Sequence, residues 1–441
     1  MKTYTITLGI LTGLVTHLGS QFPLQACGGG AACQLSALTQ QAVSPDADIA
    51  RGAIMALREQ GPAGLDALWE THQASIDQRT QGAMFLQSTN DAAWTRLRNA
   101  LDKVSGQRDD YASHLYWYTD LEKAEAAAKA SGKPILSLRL LGKLDEEYSC
   151  ANSRFFRTTL YANREVAAYL RQHFVLHWQS VRPVPRITID FGDGRKIEET
   201  ITGNSIHYIL ASDGQVIDAL PGLYGSKAFV NGLTTAEGAA KQYAALDQSS
   251  GRDFLKRFHR ESMVALIAAW RTDLSKIAPQ HASVPASYFD CSTVPQPQSA
   301  EADRLPWTVS PDDVIWSQVA ALHQDNTQLD ASSQALMQAK YPSAMAAGLR
   351  TISKSAVETP VLKQIRKIRR SIGEDTIRNE YTFHYTIHEW LANDPAGGGL
   401  AQLNRRVYAE LFLTPDSDPW LGLAPTDTFT GLENGGLVLG K

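Results

Sequence analysis

Cysteine is scarce in this chain: Cys27, Cys33, Cys150 and Cys291 are the only four in 441 residues. No pair stands at C-x-x-C spacing, and neither a C-x-x-C-H haem-attachment motif nor a zinc-ribbon arrangement occurs. A disulfide-built scaffold, a structural zinc ribbon and a c-type haem therefore have no support in the sequence. An excess of positive charge is missing too. Forty-two Lys and Arg against 46 Asp and Glu leave a net charge of −4, so no nucleic-acid partner is expected. The one locally basic tract, Lys363–Arg370, carries Val361, Ile365 and Ile368 at helical spacing and reads as the solvated face of a helix. No internal repeat of fixed period supports a solenoid. The apolar stretch Ile6–Leu18 is too short and too polar to span a membrane.

What is present describes a soluble globular protein of two or three domains, with 43% hydrophobic, 20% charged and 8% aromatic residues. Lys2 followed by Ile6–Leu18 suits a secretory signal over residues 1–26. Leu24-Gln-Ala-Cys27 resembles a bacterial lipobox, which makes Cys27 a candidate lipidation site. The rival is cleavage after Ala26, leaving Cys27 free to pair with Cys33. Either way the expected location is the periplasm or cell envelope, with membrane contact only through a lipid anchor. Residues 27–47, opening on Gly28-Gly29-Gly30, read as a flexible tether. Helical spacing marks 48–112. An α/β unit occupies 113–247, a helix 248–278, a Pro/Ser-rich linker 279–311, and a mainly helical region 312–441.

The chemistry-bearing stretch is Pro134–Pro221. A helix (Asp120–Ala130) leads into the apolar run Pro134–Leu141. Cys150 follows, exposed at the start of a second helix, then a strand (Phe174–Trp178) and a hairpin of Ile206–Leu210 and Val216–Leu220 around Asp213-Gly214. A Cys at a helix N-terminus is favoured as thiolate by unpaired N–H groups and the macrodipole. Arg154 and Arg157 add to that effect, while Asp145, Glu146 and Glu147 oppose it.

Residues 117–233 resemble the thioredoxin-like family of bacteria. The resemblance rests on Lys133-Pro134-Ile135, Cys150-x-x-Ser153, Asn163-x-Glu165-Val166-Ala-x-x-Leu170, Phe174-Val175, Asp213-Gly214 and Leu220-Pro-Gly222. It implies a central mixed sheet flanked by helices. It also implies Cys150 as nucleophile, Ser153 beside its sulfur, Arg154 favouring the thiolate, and Asn204-Ser205-Ile206 as the loop that receives an extended substrate. Two departures stand out. Ser153 replaces the resolving Cys, and a hydroxyl cannot attack a mixed disulfide. Gly203-Asn204-Ser205-Ile206 holds no proline where the family carries one. An inserted β-hairpin is expected from Ile187–Phe191 and Ile197–Ile201 around Gly192-Asp193-Gly194.

Two function classes follow: monothiol thiol–disulfide exchange on a protein substrate through Cys150, or a redox-inert binding or scaffold module for an envelope protein. No cofactor is implied. Glu380, His384 and His388 share one helix face at i, i+4 and i+8, and two His one turn apart can ligate a metal. The H-E-x-x-H pattern is absent, however, and the neighbours are aromatic, so a packed helix is expected, with a metal protein using His384 and His388 as a third reading behind the two function classes. His177 and His207, expected on adjacent strands, read as structural. Asp190, Asp193 and Asp218 lack calcium-loop spacing.

Overall fold

The computed structural model describes residues 31–80, 91–277, 311–340, 369–395, 398–423 and 431–432. Cys27, the signal segment, Cys291, and most of the 279–311 linker and of the basic tract lie outside the described residues. Among those described, no helix is long and apolar enough to cross a membrane.

Four helices open the fold: α1 (Ala31–Gln41), α2 (Ala47–Glu59), α3 (Pro62–Thr80) and α4 (Ala92–Ser105). Helix α1 replaces the tether expected over 27–47 at residues 31–41, while Gly28-Gly29-Gly30 lies outside the described residues. Leu35 and Leu38 of α1, with Ala42 and Val43 just beyond it, pack into the apolar cluster of Leu57, Leu65, Leu68 and Leu101. Tertiary burial thus outweighs the polar local composition. Asp46 and Asp91 cap α2 and α4 by accepting first-turn N–H groups. Arg58 ties this bundle to the next unit, donating to the carbonyls of Val104 (2.8 Å) and Trp117 (2.6 Å).

The second unit is a mixed five-stranded sheet in the order β1 (Trp117–Tyr118), β3 (Val175–Arg182), β2 (Ile135–Leu141), β6 (Ser205–Leu210), β7 (Val216–Pro221). Strands β1, β3 and β2 run parallel, while β6 and β7 are antiparallel to their neighbours. Every residue of β2 is buried, as a central strand covered on both faces requires, and its near-continuous apolar run follows from that. Between the strands lie α5 (Leu121–Ser131), α6 (Ala151–Phe155) continuing into a π-helical turn Phe156–Leu160, and α7 (Arg164–His173). His177 and His207 are not on adjacent strands: β2 separates them, pairing Ser137 with His177 and Leu138 with His207.

The expected insertion is present as a separate two-stranded sheet, β4 (Arg186–Asp190) with β5 (Lys196–Thr200). Its turn glycines Gly192 and Gly194 adopt positive φ. Ile189, Phe191 and Ile197 are about half exposed (49%, 51% and 47%).

Helices α8 (Ser226–Ala244) and α9 (Gln248–Ile277) follow the sheet, then α10 (Pro311–Leu322) and α11 (Ala331–Lys340). Helix α8 is one continuous element that closes the α/β unit, held there by Phe229 and Leu233, which bury against the sheet core. A helical run at 369–378 enters a π-helical turn, Asn379–His384, and continues as α12 (Tyr385–Asn393). Helix α13 (Leu400–Arg406) ends in a third π-helical turn, Val407–Leu411. Ile387, Leu391, Leu403, Val407, Tyr408 and Leu411 all join the core of the sheet. The C-terminal region is therefore a covering layer on the α/β unit.

Candidate functional site

Cys150 is the N-cap of α6, with the Ser153 N–H donating to its sulfur at 3.4 Å. The Ser153 hydroxyl also donates to the Cys150 carbonyl at 3.0 Å. These are the helix-start contacts that the sequence suggested. The exposure is not: Cys150 has no accessible surface and belongs to the apolar core. Burial pushes the thiol up from its ordinary value, and hydrogen bonds from Ser153 offset only part of that. Two buried phenols, Tyr161 and Tyr408, are close enough to feel a charge on the sulfur. Behind them the Tyr161 hydroxyl lies 2.6 Å from Nε2 of His207, whose ring burial holds down to about 3. Arg154 does not serve the sulfur with a hydrogen bond; its guanidinium donates to the Thr200 carbonyl at 3.3 Å. Arg157 is spent on a buried pair with Asp109.

The loop 202–206 meets the start of α6 directly. The Ala151 N–H donates to the Thr202 carbonyl (3.2 Å), and the Asn152 amide donates to the Ser205 hydroxyl (3.0 Å). Thr202 sits in the left-handed region (φ 73°), a conformation that costs a β-branched residue on the order of 1–3 kcal/mol. Ser205 and Ile206 are completely buried. Asn204 is already engaged: its amide donates to the Thr414 hydroxyl at 3.1 Å, and its carbonyl accepts from the Tyr408 hydroxyl at 3.2 Å. Arg182 fastens the same segment by donating to the carbonyls of Thr414 and Asp418. The stretch from Tyr408 to Asp418 thus lies over the loop where an extended substrate was expected. From the other side Thr200, at the base of the β4–β5 hairpin, donates its hydroxyl to the Ser149 carbonyl at 2.8 Å.

A second group of chemistry-bearing residues stands elsewhere in the fold. Asp218 of β7, His384 of the π-helical turn and His388 of α12 are all buried, and one ligand atom from each lies within 4.8 Å of the others. Nε2 of His384 is 3.0 Å from Oδ1 of Asp218, and its Nδ1 is 3.1 Å from Oε2 of Glu380. His259 of α9 joins them, its Nδ1 2.9 Å from Nδ1 of His388. Burial would depress His384, but Asp218 and Glu380 outweigh it and leave the ring raised to about 10. Burial, with the neighbouring His384, drives His388 well below its ordinary value, and burial takes His259 down to about 4.

Sequence reasoning found the His384/His388 pair and missed Asp218 and His259. Each left a trace: Asp218 is a charge inside the apolar run Val216–Leu220, and His259 follows Leu255 by one helical turn on a buried face. Tyr161 and Tyr408 left none, since aromatic residues fill most cores.

No model of a protein family, no curated protein and no solved structure matches this chain.

Proposed function

We propose that the α/β unit is a thioredoxin-like domain that works as a redox-inert binding or scaffold module. The order of helix, strand, Cys at a helix start, helix, strand and hairpin supports the thioredoxin-like part. The inertness rests on one observation: Cys150 is sealed in the core beneath the chain's own Tyr408–Asp418 segment, which holds Asn204 where a substrate would lie. With Ser153 in the resolving position, the Cys150 helix carries no second thiol to release a mixed disulfide. A surface open to a partner is the β4–β5 hairpin, whose Ile189, Phe191 and Ile197 stand together half exposed. The lipobox-like Leu24–Cys27 supports an envelope protein as that partner.

The test is alkylation of Cys150 in the native full-length chain, followed on the Cys150 peptide by mass spectrometry across pH, beside the same chain in urea. The expected result is no native modification over a time that completes the reaction in urea. Rapid native modification, with a profile centred well below the ordinary Cys value of about 8.5, would return the reading to monothiol exchange through Cys150.

A further inference from the structure

We propose that Asp218, His384 and His388 form a binding site for a divalent transition-metal ion, zinc by the chemistry of its donors, which clamps the C-terminal helices to the sheet. This goes beyond the scaffold reading and does not depend on it. One carboxylate and two imidazoles are a borderline donor set that suits Zn2+ and matches neither calcium nor magnesium.

The geometry carries the proposal at three levels. First, the ligand atoms converge. Asp218 Oδ1 stands 3.0 Å from His384 Nε2 and 3.8 Å from His388 Nδ1. Bonds of about 2.0–2.1 Å around a tetrahedral ion put neighbouring donors roughly 3.3 Å apart, between those two separations. His259 of α9 stands beside this set and touches only one member of it, its Nδ1 2.9 Å from that of His388.

Second, the surroundings are those of ligands. Nδ1 of His384 faces Glu380 at 3.1 Å, the carboxylate–histidine arrangement that fixes a ligating ring and aims its other nitrogen. Beside the cluster one buried atom lacks a hydrogen-bond partner: Nε2 of His259, whose Nδ1 shares a proton with that of His388.

Third, the backbone is irregular at these ligands. A β-bulge interrupts the β6–β7 ladder beside Asp218, between Ile209 and Leu210. Glu380 and His384 lie in the π-helical turn Asn379–His384. Both irregularities re-aim side chains and recur at functional sites. All three ligands are at most 5% exposed, so the site is closed to bulk solvent.

The experiment uses the full-length chain, stripped with a chelator and then titrated with Zn2+, and with Co2+ as a visible probe. The expected result is roughly one equivalent of Zn2+ bound per chain, a Co2+ complex with the intense visible bands of a low-coordinate site, and a Tm that rises on adding Zn2+. His384→Gln and Asp218→Asn abolish the bands, and Glu380→Gln weakens Zn2+ binding by about 10–100-fold. A wild-type chain that gives no Co2+ bands, or that binds no more Zn2+ than His384→Gln, overturns the proposal and leaves a hydrogen-bonded network. The wild-type Co2+ titration and the partly exposed Glu380→Gln keep the test decisive if the buried variants fail to fold.

Discussion

Nη1 of Arg157 lies 2.5 Å from Oδ2 of Asp109, and each side chain is 1% exposed. Lys340 of α11 reaches the same oxygen at 2.7 Å, so one carboxylate joins the α4–β1 connection, the Cys150 helix and the C-terminal region. Replacing Arg157 by Leu leaves a buried carboxylate short of its main partner, which costs about 3–5 kcal/mol. Urea unfolding of the variant measures it, and a loss below about 1 kcal/mol would place the pair with surface salt bridges.

Asp102 sets a pH dependence. Burial, reinforced by the charge of Asp109, raises its carboxyl to about 8. An unfolded Asp titrates near 3.9. Between those values the folded chain holds a proton that the unfolded chain has released, so stability falls as pH rises from about 4 to about 8. Asp110, raised by burial to about 7, acts in the same direction. Asp102→Asn keeps an oxygen for the Asp110 N–H (3.1 Å) and removes the Asp102 titration. The variant should gain on the wild type by a few kcal/mol as pH rises through that window, since one proton contributes about 1.4 kcal/mol for each tenfold change in acidity. Thermal melts at pH 5 and pH 8 make the comparison; a gap that does not widen towards pH 8 contradicts it.

Tyr408 tests the cover over Cys150. Tyr408→Phe removes the hydrogen bond to the Asn204 carbonyl, worth about 1 kcal/mol, and keeps the ring, so Cys150 stays protected. Tyr408→Ala removes a buried ring at a cost of about 3–5 kcal/mol and should speed native alkylation of Cys150. Equal rates in both variants would show that the shield lies elsewhere.

The hairpin should be indifferent to its apolar side chains as far as folding goes. Phe191→Ser and Ile197→Ser remove half-exposed groups, and each is expected to change stability by no more than about 0.5 kcal/mol. A drop in Tm of many degrees in either variant would mean that the hairpin belongs to the core and is no free surface.

Much of the α/β unit was legible because its elements are locally consistent. The apolar run at 135–141, the Asp213-Gly214 turn and the Gly192-Asp193-Gly194 turn each carry their own signal, and the structure forms an element at each. Within the stretch expected as a tether, residues 31–41 are helical because burial overrides composition: Leu35 and Leu38 pack against the cluster that holds Leu57 and Leu65. The Cys150 site was half legible. The N-cap position follows from the local sequence, but the exposure of the sulfur depends on Tyr408, far along the chain.

By itself the sequence determined the elements and their order, since helix and strand periods, caps and turns are properties of neighbouring residues. It also determined that Ser153, not a second thiol, stands beside Cys150. Only the tertiary structure decided that Cys150 is sealed and that Asp218 meets His384, 166 residues away. Both outcomes depend on how the C-terminal helices dock on β7 and α9. That docking is set by apolar area summed over many distant residues, which no local window contains.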